Sequence, residues 1–425
     1  MTIEAIYEIF LKHPEVVTDT RLLAAGNIFF ALKGPNFNGN LFAQKAIDMG
    51  ASFAIIDEKD FFIEGRTILV EDVLKTLQDL AGHHRRQFSI PFLAITGSNG
   101  KTTTKELIHS VLSTSFNTYT TEGNLNNQIG IPLTLLKIKK DAALAVIEMG
   151  ANHLTEIAAY CEYTRPTHGL ITNCGKAHLE GFGSVEGVRK GKGELYDYLR
   201  TNGGTAFVMT DYDYLREMSH DIAQIISYGT LDASVMGIAT QTEPYLSIEI
   251  LRGLDADFIK TRLVGVYNLP NVLAALTIGK YFGVEDEDLV HGIENYSPSN
   301  SRSQMIYSGS NKIILDAYNA NPSSMSSAIQ NFGGIEADNK VLILGSMAEL
   351  GPETASEHQA LVNLIDQYSW KTVVLVGKAY EGIGLKYLHF TDSSEARDWF
   401  RASAVSESYL LVKGSRSMKM EKVLE

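Results

Sequence analysis

A three-domain α/β protein is predicted from three observations. A buried strand pattern, a glycine-rich loop and a helical pattern follow one another through residues 91–112, the order from which parallel α/β units are built. In the last third of the chain, apolar runs at 312–315, 340–344, 372–376 and 409–412 alternate with helical periodicity, as in a doubly wound sheet. A chain of 425 residues is also long enough for two or three separate cores. The reading gives a small N-terminal α/β domain (1–88), a central parallel-sheet domain around the glycine loop (89–297) and a C-terminal Rossmann-like domain (298–425).

In the first domain, apolar pieces at 28–32, 52–56 and 67–70 read as strands, and 42–49 and 73–83 as helices. The turn-rich stretch Lys33-Gly-Pro-Asn-Phe-Asn-Gly-Asn40 is either a plain turn or a ligand loop. His83-His84-Arg85-Arg86 reads as a solvated helix end and a boundary.

The central domain carries Ala94-Ile-Thr-Gly-Ser-Asn-Gly-Lys-Thr-Thr-Thr-Lys105. Gly97 and Gly100 let backbone N–H groups from Gly97, Ser98, Asn99 and Gly100 turn toward an anion, and the following helix N-terminus adds partial positive charge. Lys101 can reach outer phosphates, and the Thr102 hydroxyl, followed by Thr103, is placed to ligate Mg²⁺. The stretch Thr120-Thr-Glu-Gly-Asn-Leu-Asn-Asn-Gln-Ile-Gly130 is too polar for a core, and its amides at Asn124, Asn126 and Asn127 favour a ligand-facing loop over a long turn. Glu148 ends the apolar run 142–147, where a second Mg²⁺ ligand belongs in a phosphate-loop protein. His178, after the strand 169–172, is either packing or a metal contact in the same crevice. Within 185–199, Val188, Lys192, Leu195, Tyr196 and Leu199 share one helical face. Lys192 there either snorkels to solvent or is functional, with a pKa lowered by burial. Asn268 and Asn271 either cap the helix from 272 or recognise a purine edge.

The third segment has polar stretches at its strand ends: Asp316-Ala-Tyr-Asn-Ala-Asn-Pro322, Gly345-Ser-Met-Ala-Glu-Leu-Gly351 and Lys413-Gly-Ser-Arg416. Ligands bind at the carboxyl ends of strands in open α/β sheets, so this domain is expected to face one. Net charge of −13 argues against general nucleic-acid or anionic-membrane binding. Cys161 and Cys174 lack zinc spacing and read as buried, reduced thiols. No apolar run reaches the roughly 18 residues of a membrane span, and the N-terminus lacks a signal pattern. A cytoplasmic, monomeric protein without membrane insertion is expected.

Together these motifs resemble the muramyl peptide ligases of cell-wall precursor synthesis over nearly the whole chain. The Gly97–Thr104 loop is shared with the wider superfamily that includes folylpolyglutamate synthases. Gly123-Asn-Leu-Asn-Asn-Gln-Ile-Gly130, Ala177-His-Leu-Glu-Gly-Phe-Gly183, Asp316-Ala-Tyr-Asn-Ala-Asn-Pro322 and Met347-Ala-Glu-Leu-Gly351 are similar to the branch that adds D-alanyl-D-alanine. The resemblance implies an ATP-dependent amide ligase with a UDP-substrate domain, a P-loop ATPase-like domain and a ligase domain. Its small-molecule substrates would be UDP-MurNAc-tripeptide, D-Ala-D-Ala and ATP. By position, Lys101 would bind outer phosphates, with Thr102 and Glu148 on a first Mg²⁺. His178 and Lys192, the latter carbamylated, would hold a second, which makes Lys101, His178 and Lys192 the expected catalytic set. Asn268 and Asn271 would meet adenine, and Arg302 and Asp316 would close over phosphate and ribose. Arg21, Asn36, Asn124, Asn126, Asn127, Tyr318, Asn319 and Asn321 are the expected substrate contacts. Some positions depart from the family pattern: Thr20 stands for Ser, Asn38 and Asn40 for Asp and His, Tyr267 for His, Ala317 for Ser and Ser346 for Asp.

Overall fold

The computed structural model of this chain describes residues 1–299, 301–403 and 405–425. Among them lie three α/β layers, each around its own sheet. The first is a four-stranded parallel sheet in the order Val16–Val17, Ile28–Phe30, Phe53–Ile56, Thr67–Leu69. The loop at 33–40 folds into a small antiparallel hairpin, Lys33–Gly34 against Phe37–Asn38.

The central sheet has nine strands. At its heart Phe92–Thr96 lies between His168–Ile171 and Leu144–Glu148, all parallel. All five residues of Phe92–Thr96 and all five of Leu144–Glu148 are buried, which is why both read as unbroken apolar runs. The sheet is not parallel throughout. Ser247–Arg252 and Phe258–Lys260 add antiparallel strands at one edge, within the stretch 205–260 that reads only as short strands alternating with turns. The third sheet has six strands, four of them the predicted ones: Asn311–Asp316, Lys340–Gly345, Thr372–Val376 and Tyr409–Lys413. Gln304–Ser308 pairs antiparallel with Asn311–Asp316 at the edge.

One apolar core ignores the 88/89 boundary. Ile6, Tyr7 and Phe10 of helix Ile3–Lys12, and Leu77 and Leu80 of helix Val73–Arg85, belong to the same buried cluster as Phe92, Leu135 and Ile157. His84-Arg85 lies inside this junction, which corrects the reading of a solvated helix end. His84 joins Tyr7 Oη (3.1 Å) to the Ile138 carbonyl (2.8 Å). Arg85 donates to the carbonyls of Thr164 (2.8 Å), Phe88 (2.9 Å) and Arg165 (3.0 Å), and its guanidinium lies 3.6 Å from the centre of the Phe92 ring. A guanidinium has enough donors to satisfy several carbonyls at a buried helix end, so the charge run marks a packing seam. Among the described residues no helix is long and apolar enough to cross a membrane.

Candidate functional site

The glycine loop leaves the buried strand Phe92–Thr96 and enters helix Lys101–Leu112. Gly97 and Gly100 both have positive φ (145° and 81°). A Cβ at Gly97 would collide with Thr172 Oγ1, and one at Gly100 would sit 2.6 Å from Asn271 Oδ1. Only glycine therefore satisfies both the turn and the packing. Asn173 braces the loop from the neighbouring strand end. It accepts the Asn99 N–H at 3.1 Å and donates to the Asn99 carbonyl at 3.0 Å. Lys101 folds back over the loop, donating to the carbonyls of Gly97 (2.7 Å) and Ser98 (3.3 Å). Burial pulls its pKa below the usual lysine value. The ammonium is thus held at the mouth of an anion cradle with no carboxylate paired to it.

Glu148 is 1% exposed. Its Oε1 accepts the Thr102 hydroxyl at 3.1 Å and the Asn126 amide at 2.7 Å, and its N–H donates to Thr121 Oγ1 at 2.9 Å. Its Oε2 is buried without a hydrogen-bond partner. A buried carboxylate oxygen left unpaired calls for a cation or ordered water, and the adjacent hydroxyl and amide oxygens suit a hard divalent ion. The residues present therefore fit Mg²⁺. A compact cage does not exist: among the described residues no group of three or more His, Cys, Asp or Glu could hold a metal by itself. Any ion would share its coordination with substrate or water.

Lys192 lies mid-way along helix Val185–Asn202 and is 1% exposed. It does not snorkel. Its ammonium donates to the Ala151 carbonyl at 2.9 Å and lies 5.1 Å from the centre of the Phe182 ring. Burial, and then Lys101 nearby, pull its pKa down to about 7. His178 stands at φ 51° and Glu349 at φ 61°, and Nδ1 of the ring lies 2.5 Å from Glu349 Oε2. The ring beside it holds the Glu349 carboxyl below the usual range.

These groups surround a cleft of about 820 Å³ between the central and third layers, within the range of small-molecule sites. The central wall contributes residues 98–103, Asn126, Asn127, Glu148, His178, Asn268 and Asn271. The facing wall contributes Arg302, Asp316, Tyr318, Asn319 and Asn321. Cross-cleft contacts close it: Asn321 donates to Asn99 Oδ1 (2.8 Å), Lys176 N–H donates to Ser323 Oγ (2.8 Å), and Lys176 Nζ pairs with Glu357 (2.6 Å).

Comparison with known proteins decides the family. Residues 95–279 match the Mur ligase middle domain, and residues 301–416 match the glutamate ligase domain of Mur ligases. The UDP-N-acetylmuramoyl-tripeptide–D-alanyl-D-alanine ligase of Bacillus subtilis is 32% identical over 423 residues, 96% of this chain and 92% of that protein. The chain belongs to the Mur ligase family. Among solved structures, MurF from Acinetobacter baumannii superposes with TM-score 0.87 at 31% identity, covering 96% of this chain and 92% of that one. MurF ligase from Thermotoga maritima in complex with ADP gives TM-score 0.85 at 25% identity, with 97% of each chain covered.

In this Mur ligase not every expected residue reaches the cleft surface. Gly97 and Lys192 stand just behind it, at the Lys101 and Ala151 contacts. Asn124 opens instead onto an adjoining pocket of about 380 Å³, which shares Thr102, Arg302 and Tyr318 with the main cleft. Arg21 and Asn36 are exposed on the first layer, away from the cleft, and Arg21 is paired with Asp19 at 2.6 Å. Asn268 and Asn271 are largely committed to one another. Asn271 donates to Asn268 Oδ1 (2.9 Å) and accepts the Thr104 hydroxyl (3.0 Å), while Asn268 donates to the Val264 carbonyl (2.8 Å). Each amide keeps one N–H and spare acceptor capacity for a ligand. Arg302 stacks on Tyr318, with 3.5 Å to the ring centre. Asp316 is bound by Lys413 (2.6 Å) and by the Ser303 N–H (3.1 Å).

Two groups were missed as site residues, Asn173 and Glu349, while Lys413, at one of the polar strand ends, does line the cleft. Asn173 follows a buried strand beside the site, a position that marks a candidate whatever the residue type. Glu349 lay inside a quoted motif but had no periodicity to single it out.

Proposed function

We propose that this Mur ligase joins D-alanyl-D-alanine to UDP-N-acetylmuramoyl-tripeptide with ATP as the energy source, giving ADP and phosphate. The reading gives residues 1–88 the UDP end of the acceptor, residues 89–297 the ATP and residues 298–425 the closing wall. The observation that carries it is one cleft holding an anion cradle, the Lys101 ammonium and the half-satisfied Glu148 carboxylate, with the buried Lys192 just behind.

The acceptor carboxylate attacks the γ-phosphorus, the bond to the β–γ bridging oxygen breaks, and an acyl phosphate and ADP form. The amine of D-Ala-D-Ala then attacks the acyl carbon, a proton is lost, and phosphate leaves. Bound Mg²⁺ would neutralise charge on the phosphoryl oxygens and orient them in line. The loop N–H groups and Lys101 bind the phosphates and stabilise the negative charge that builds during transfer. Thr102 and Glu148 would hold the first ion. Lys192, added to CO₂ with loss of a proton, becomes a carbamate that can join His178 on a second. Arg302 from the third domain would meet the phosphates, and Asp316 the ribose. The contacts of Asn321 with Asn99 and of Ser323 with Lys176 keep water from the acyl phosphate while the cleft is shut.

The test is ADP release from purified protein with UDP-MurNAc-tripeptide, with and without D-Ala-D-Ala, following the product by mass. ADP and pentapeptide in equal amounts, both requiring the dipeptide and both abolished by EDTA, are expected. ADP release indifferent to the dipeptide, without a mass gain, would overturn the reading.

A further inference from the structure

We propose that Glu349 is the positioning residue for His178, so that the second cation site of this ligase is complete only while the third domain is closed. The inference rests on the functional reading above, in which His178 is a cation ligand.

The two residues come from different domains. His178 follows the central strand His168–Ile171, whereas Glu349 follows Lys340–Gly345 of the third sheet. Glu349 Oε2 lies 2.5 Å from His178 Nδ1, a close charge contact rather than an aligned hydrogen bond. Among the described residues Nε2 has no protein partner, and the ring lines the main cleft. A carboxylate on Nδ1 favours the tautomer with its proton there, which leaves Nε2 as the ring nitrogen with a free lone pair. Where the imidazole N–H turns to donate to it, such a carboxylate holds a metal-binding ring in one orientation and tautomer.

The contact is over-determined by its surroundings, which separates it from an incidental surface pair. Both residues hold positive φ, 51° and 61°, a conformation that costs free energy in residues with a side chain. The Glu349 loop is pinned on both sides by buried Met347 and Leu350, and the Met347 N–H donates to His358 Nε2 at 3.0 Å. Beside His178, Leu179 packs into the apolar cluster of the third sheet, and the Glu180 N–H donates to the Glu349 carbonyl at 3.3 Å. The central domain thus plugs into the third at the residue next to the histidine. Opening the cleft removes Glu349 and leaves the ring free to turn. Closure would then do two things together: exclude water and set the second cation in place.

The test uses full-length protein with the non-hydrolysable nucleotide AMPPCP and Mn²⁺ as the probe, counting bound ions by electron paramagnetic resonance. Wild type is expected to bind two Mn²⁺, and Glu349→Ala to weaken the second by about tenfold or more. The first ion and AMPPCP should bind as in wild type. Glu349→Gln, which keeps an acceptor at the same place, should fall between. Adding Glu349→Ala to His178→Ala should cause no further loss of Mn²⁺. Two ions held at wild-type strength by Glu349→Ala would overturn the proposal, and a fall in turnover with both ions in place would assign the carboxylate to the amine substrate instead. A wild type that binds one ion would sink the two-cation reading itself, and the proposal with it.

Discussion

Around the glycine loop, Thr102, Glu148 and Lys192 are buried, and Glu148 keeps an oxygen with nothing to bind. On the first domain, Lys33, Asn38, Asn40, Asp57 and Glu58 also form a polar network, but a closed one. Asn40 donates to Asp57 Oδ1 (2.8 Å), Asn38 donates to Glu58 (3.2 Å), and Lys33 pairs with Asp57 (3.1 Å). The first region leaves capacity unspent inside the protein, where an unmet polar group is costly. The second spends its capacity on itself and offers ligands only what remains outside, such as Asn36. Unspent buried capacity marks chemistry, and a closed network marks a scaffold for recognition.

Substitutions can break this contrast. The largest loss is expected from Lys101→Ala, with kcat down about 10³-fold or more, because its charge acts on the transferring phosphoryl group. A coupled ADP assay measures it, and a loss under tenfold would put the chemistry elsewhere. Lys192→Ala should cost about 10²-fold and be partly rescued by formate or acetate, which can restore a carboxylate where the carbamate stood. Absence of any rescue in an otherwise folded variant would count against the carbamate. Arg85→Ala tests the buried seam, where three carbonyls lose their donor. Urea unfolding should show about 2–4 kcal/mol lost, with little change in kcat of the folded enzyme. The smallest effect belongs to the exposed first domain. Asn36→Ala should raise KM for the UDP substrate by about threefold to tenfold and leave kcat alone, the pattern of a contact made equally in ground and transition states.

The same contrast explains what the sequence disclosed. The P-loop, the Glu148 strand end and the Lys192 face were legible because burial forces periodicity, and a lysine or glutamate breaking an apolar pattern stands out. The four main strands of the third sheet were legible for the same reason. The antiparallel edge at 247–260 was less legible: only Ile248 and Ile250 alternate inward on Ser247–Arg252, while Leu251 and Phe258 face solvent. His84-Arg85 misled because charge was taken for exposure, although carbonyls at the ends of neighbouring elements can solvate a guanidinium as water does. The Glu349–His178 contact was invisible because it joins residues 171 positions apart on two different sheets, and no local spacing encodes that.

The shared core across 88/89 has a consequence for synthesis on the ribosome. The first domain emerges first, yet helix Val73–Arg85, with Leu77 and Leu80, packs against helices Gly130–Leu136 and Glu156–Thr164, which are translated later. The first sheet can form early, but the face of helix Val73–Arg85 turned toward those helices stays uncovered until residues near 165 have left the exit tunnel. A nascent chain stalled near residue 90 would therefore display a sticky surface, and a gene cut at that boundary would yield two fragments that must be made together to remain soluble.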